Sequence, residues 1–137
     1  SVTQLLSGGL DAKFWSNQWL VGDPIVHRID PQLSFNWGLS PVTSFGPGPV
    51  SARWEGKLLA PASGTFDLFI RAQGGFQLFL DHMLVMNAWE GNCQNLRAGK
   101  ERVVLANLVK GNFHDVVLEY KEEGGPASIE VSVLFRQ

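Results

Sequence analysis

Hydrophobic residues that alternate with polar ones at a period of two, cut by turn chemistry about every ten residues, constrain this chain more than any other feature. In TFDLFIRA, Phe66, Leu68 and Ile70 share one face while Asp67 and Arg71 share the other. In DVVLEYKE, Val116, Leu118 and Tyr120 alternate with Val117, Glu119 and Lys121, and in SIEVSVLFR, Ile129, Val131, Val133 and Phe135 alternate with Glu130, Ser132 and Leu134. A period of two is that of a half-buried strand, because successive side chains point to opposite faces of a sheet. Between the runs stand Pro61-Ala62-Ser63-Gly64, Gln73-Gly74-Gly75, Asp81-His82, Ala98-Gly99-Lys100, Lys110-Gly111-Asn112 and Glu123-Gly124-Gly125-Pro126. Short strands separated in this way predict an antiparallel sandwich or barrel, and no segment has the pattern of a helix.

Two turns carry more detail. FQLFL and MLVMNAW are joined by Asp81 and His82 alone, which predicts a tight hairpin with positive φ at both central residues. The stretch from Leu33 to Val50 holds Pro41, Pro47, Pro49, Gly38, Gly46 and Gly48. Proline removes ladder donors and glycine adds chain entropy, so a long Pro/Gly-rich loop is predicted there.

Composition narrows the function classes. The 137 residues suit one domain, 1–137, with a core of its own. Eleven basic residues against 13 acidic ones leave no surplus for phosphate neutralisation, so nucleic acid is not an expected partner. No apolar run is long enough to cross a bilayer, and direct membrane insertion is not expected. The single cysteine, Cys93, excludes an intrachain disulfide, and it is expected to be a free thiol beside a loop. Ser1 opens the chain without the pattern of a signal peptide, as in a mature form or a piece excised from a larger protein.

Motifs for catalysis are missing. His27, His82 and His114 have no metal-ligand spacing, and there is no nucleophile elbow, P-loop or dinucleotide fingerprint. The chain is therefore expected not to be an enzyme. Glu122 and Glu123 could offer calcium adjacent carboxylates beside a flexible turn, or form a solvated hairpin. Five tryptophans stand at 15, 19, 37, 54 and 89. Trp54 and Trp89 are expected in the core, and Trp19, in the polar SNQWLVGD segment, is expected to be exposed, where an indole face can stack on a sugar.

The segments GLDAKFW, Gly22-Asp23-Pro24, HRID, FNWG, VSARWEGKLLAPASGTFDL, GFQLFLDHMLVMNAW and LEYKEEGGPASIEVSV, in that order, resemble the protective-antigen-type (PA-fourteen) domain family from about Gly9 to Phe135. The resemblance implies an all-β fold, an antiparallel β-sandwich that serves as a non-catalytic binding module of toxins, adhesins, glycosidases and cell-surface proteins. It implies an extracellular or cell-surface location and a glycan or glycoprotein as partner. In the family's lectins an aspartate pair joined by a cis peptide holds calcium. Here Gln73-Gly74 stands at that position, so no cofactor is expected, and Glu122 and Glu123 replace the second loop's Asn and aromatic. The ligand-binding residues so implied are Gln73, Gly74, Gly75, Glu122 and Glu123, with Trp19 as rim. The alternative is a structural or protein-interaction module that orients or assembles neighbouring domains, with Leu20-Val21 and Met83 to Met86 as its apolar patch.

Overall fold

Ten strands follow the alternating runs in a computed structural model that describes residues 6–31, 33–38, 49–89, 100–122 and 127–136. They are β1 (Leu6–Trp15), β2 (Val26–Asp30), β3 (Ser34–Gly38), β4 (Val50–Leu59), β5 (Gly64–Gln73), β6 (Gly75–Leu80), β7 (Met83–Ala88), β8 (Lys100–Leu108), β9 (Phe113–Glu122) and β10 (Ala127–Arg136). No helix occurs among the described residues. One sheet runs β2-β1-β4-β9-β6-β7 and the other β3-β10-β5-β8, and every pairing is antiparallel. The chain folds as the expected antiparallel sandwich.

The core lies between the sheets and is built from the alternating faces. Leu10, Ala12, Phe14, Trp54, Leu118 and Phe76 come from the larger sheet, and Phe66, Leu68, Ile70, Ile129 and Val131 from the smaller. Trp54, fully buried, meets Phe14 edge-on at 5.7 Å and stacks on Phe35 at 6.0 Å. Its indole N–H donates to Asp30 Oδ2 at 2.9 Å, and Arg28 Nε donates to the other oxygen at 2.8 Å. A buried indole N–H needs such an acceptor, and a buried carboxylate needs both donors.

The hairpin joining β6 and β7 has the predicted geometry, with φ of 50° at Asp81 and 68° at His82. Its corner is pinned to β9: the Asp81 amide donates to the Asp115 carbonyl, and Asp81 Oδ1 and Oδ2 take the Asp115 amide and His114 Nδ1.

One expectation needs correction. The Leu33 to Val50 stretch is not loop throughout, because its first part forms β3 beside β10. Phe35 and Trp37 alternate on the core side there, stacked at 5.0 Å, and the prolines begin only afterwards. The remainder of that loop, 39–48, lies outside the described residues, as does Cys93.

Candidate functional site

Strand register places alternate connections at opposite poles of the sandwich. Trp15 pairs with Ser51, Val50 with Glu122, Gly75 with Lys121 and Phe76 with Ala88 in the larger sheet. Gly38 pairs with Ala127, Gln73 with Ser128 and Arg71 with Lys100 in the smaller. The connections β1–β2, β3–β4, β5–β6, β7–β8 and β9–β10 therefore all leave from and return to one pole. At the other pole β1 starts, with Leu6 opposite Leu58, and β10 ends, with Arg136 opposite Thr65.

Of the residues expected to bind ligand, Gln73, Gly74, Gly75 and Glu122 meet at the loop pole, and Trp19 stands at the same pole. Glu123 lies outside the described residues. Gly74 is the whole connection between β5 and β6, and it carries the chain from one sheet to the other. Its φ of 127° is open to glycine alone, and a Cβ there would drive into the Lys121 carbonyl and come within 2.9 Å of the Tyr120 ring. A Cβ on Gly75 would collide with the Trp89 carbonyl. The glycine pair is thus required by close packing at a sheet-to-sheet corner.

The corner is tied shut by its neighbours. Tyr120 Oη donates to the Gln73 carbonyl at 2.5 Å, and Ser128 Oγ donates to Gln73 Oε1 at 3.2 Å. Burial first, and then the negative charge of Glu122, hold the Tyr120 hydroxyl well above the usual phenol range. Glu122 is itself buried, since it continues the inward face of Val116, Leu118 and Tyr120. Calcium takes six to eight hard oxygens. Here the Gln73 oxygens already accept protein donors, Glu122 is shut inside, and no peptide bond among the described residues is cis. No group of three or more His, Cys, Asp or Glu among them is arranged for a metal.

Among the described residues, what the pole presents is aromatic. The loop between β1 and β2 turns on Asn17, whose Oδ1 accepts the amides of Trp19 at 2.9 Å and Val21 at 3.3 Å while its Nδ2 donates to the Val21 carbonyl at 2.9 Å. Trp15 Nε1 donates to the Gly22 carbonyl at 2.8 Å, and the Leu20 amide donates to Ser51 Oγ at 3.0 Å. Leu20 has a φ of 57°, a left-handed conformation uncommon for leucine. Trp19 and Val21 project from this loop with 65% and 62% of their surface exposed. Trp89, expected in the core, instead sits half-buried at the end of β7 with the Lys121 ammonium 4.6 Å from its ring. Its position after the last alternating residue of MLVMNA was the available signal.

The outward face of the larger sheet is polar. Glu119, 7% exposed, accepts Arg53 at 2.7 Å and Gln77 at 2.6 Å. Both oxygens are satisfied within the sheet.

Compared with known proteins, the chain matches the PA14 domain family model over residues 6–135. Among solved structures it is similar to an anti-sigma factor domain-containing protein from Clostridium clariflavum, with a TM-score of 0.82 and 23% identity over 94% of this chain and 42% of that one. It spans less than half the length of that protein. A β-glucosidase from Kluyveromyces marxianus, solved with glucose, is similar at a TM-score of 0.72 and 18% identity over 94% of this chain and 17% of that one. The A domain of epithelial adhesin 6 from Candida glabrata, solved with Galb1-3GlcNAc, gives a TM-score of 0.75 and 8% identity over 96% of this chain and 81% of that one. No curated protein sequence matches the chain.

Proposed function

The chain belongs to the PA14 domain family, and from that membership we propose that it is a non-catalytic binding module of a larger extracellular or cell-surface protein, recognising a glycan or glycoprotein at the loop pole. The observation that carries this is the convergence at one pole of the strand ends that bound five connections, with an exposed Trp19 on a hydrogen-bonded loop among them. Loops fixed on a rigid sandwich are where binding residues concentrate, and a solvent-facing indole offers an apolar face to sugar C–H groups. Family relatives add weight: an adhesin domain of this fold is solved with a disaccharide, and a glycosidase contains the same fold as a small part of its length. Fold alone does not assign function, so the weight rests on the pole.

The chemistry of the corner favours binding without a metal, through direct hydrogen bonds and stacking. The test is a glycan-array screen of the domain in millimolar calcium and again in chelator. Equal binding in both arms is expected; silence in both overturns the proposal.

A second reading, a module that docks on a neighbouring domain, draws on exposed apolar residues toward the opposite pole, including Met83 (69%), Phe113 (56%) and Leu134 (57%). It predicts that substitutions at these residues, and none at the loop pole, disturb the parent protein.

A further inference from the structure

Exposed tryptophan normally folds down onto neighbouring apolar surface, because burying an indole is favourable and its two side-chain torsions are cheap to fix. Trp19 does not: it stays largely exposed, on a loop whose backbone is held by hydrogen bonds. Five hydrogen bonds from Asn17, Trp15 and Ser51 hold residues 17 to 22, and Leu20 is kept at positive φ in the middle of them. Non-glycine residues adopt that conformation at a cost in backbone strain, borne only where surroundings over-determine it. The residues on either side of Leu20 are Trp19 and Val21, both largely exposed.

Ser51, which anchors the loop, lies in one row with Lys121 and Gly75 across β4, β9 and β6. Two strand spacings, roughly 10 Å, separate Ser51 from the corner. The Lys121–Trp89 pair stands on that row. From Ser51 the row runs one strand spacing to Lys121 and two to Gly75, beside Trp89, a length that takes more than one pyranose. Residues 16 to 25 carry a single charge, Asp23, and no Lys or Arg, which does not suit an anionic membrane surface.

We propose that Trp19 is the stacking platform for one ring of an oligosaccharide at least two residues long, that the contact uses no metal ion, and that the next ring extends towards Lys121 and Trp89. The inference rests on the glycan-recognition reading and deepens it. Preorganisation is the physical reason for the strained loop: with its backbone already fixed, only the two indole torsions are left to order on binding.

The experiment takes the strongest array ligand and measures its affinity, by calorimetry in chelator, for the wild-type domain, Trp19→Ala, Trp19→Phe and Lys121→Ala. Trp19 is mostly exposed, so Trp19→Ala is expected to melt within a few degrees of wild type, and melting is recorded for each variant. The expected result is a loss of tenfold or more for Trp19→Ala, retention within a few-fold for Trp19→Phe, and an intermediate loss for Lys121→Ala. Wild-type affinity in a folded Trp19→Ala overturns the inference and leaves glycan recognition standing. Affinity that chelator removes from the wild type overturns the metal-free contact. A wild type that binds no glycan overturns both.

Discussion

Replacing Gly74 by alanine tests whether this glycine is a packing requirement, and Gly111 supplies the control. Both residues hold positive φ, 127° and 88°. They differ in what surrounds them. A Cβ on Gly111 meets nothing within 4 Å, whereas one on Gly74 would overlap the Lys121 carbonyl and crowd Tyr120 and Glu122. Gly111→Ala therefore costs backbone strain alone, about 1–2 kcal/mol. Gly74→Ala adds an overpacking cost of about 1–3 kcal/mol to strain of about 1–3 kcal/mol, because a strand carbonyl must move. For a chain of this size 1 kcal/mol corresponds to about 3–4 °C in Tm. Thermal unfolding followed by circular dichroism should show a fall of about 5 °C for Gly111→Ala and of about 14 °C for Gly74→Ala. Equal falls would refute the reasoning, since they would mean that the corner has room for a side chain and that the glycine serves some other purpose.

Other perturbations follow from the same geometry. Tyr120 is the only tyrosine, so its ionisation can be followed by near-ultraviolet absorbance. A raised folded pKa keeps its contribution intact below pH about 10, and this is lost as pH rises further; phenolate should appear together with unfolding, and a reversible ionisation of the native domain near pH 10 would count against the burial of its hydroxyl. The Asp81 carboxyl is held below its ordinary 3.8 chiefly by the His114 hydrogen bond and next by the Asp115 amide. Its contribution is complete above pH about 4 and lost as pH falls through the lower folded value, so Asp81→Asn should flatten the acid limb of a stability-against-pH profile. Trp54→Phe removes the indole donor from buried Asp30 and leaves a cavity, at a cost of about 2–4 kcal/mol by denaturant titration, against less than 1 kcal/mol for a substitution of exposed Val21. Arg53→Met leaves the buried Glu119 carboxylate with Gln77 alone, and about 2–3 kcal/mol should be lost.

Strands with strict alternation were legible because one face of each meets the core, and the Asp81-His82 hairpin was legible because its length dictates its turn. The β2 strand, VHRID, was harder to see: it sits at a sheet edge, where His27, Arg28 and Ile29 are all exposed and the pattern fades. The short β3 was hidden by the prolines that follow it. Glu122 could have been read as buried, since it shares its parity with Tyr120, but an acidic pair beside glycines suggested a solvated loop. That β5 and β6 belong to different sheets, although one residue separates them, is a tertiary fact; nothing local distinguishes a corner from a hairpin there. The same holds for the loop around Trp19, whose anchor, Ser51, is 31 residues away.

The strand β1 leads from the far pole directly to the loop that holds Trp19. A pull applied at that loop and resisted at the start of β1 runs along one strand, regularly paired with β4 from Asp11 to Trp15 and bulged between Ser7 and Asp11, so the load is carried by covalent bonds more than by the flanking ladders with β2 and β4. The slack that such a tether can give up under tension is confined to that bulge. Load drawn instead between β1 and β10 at the far pole would open both sheets one hydrogen bond at a time. The direction of force, more than its size, would decide whether this sandwich stays closed.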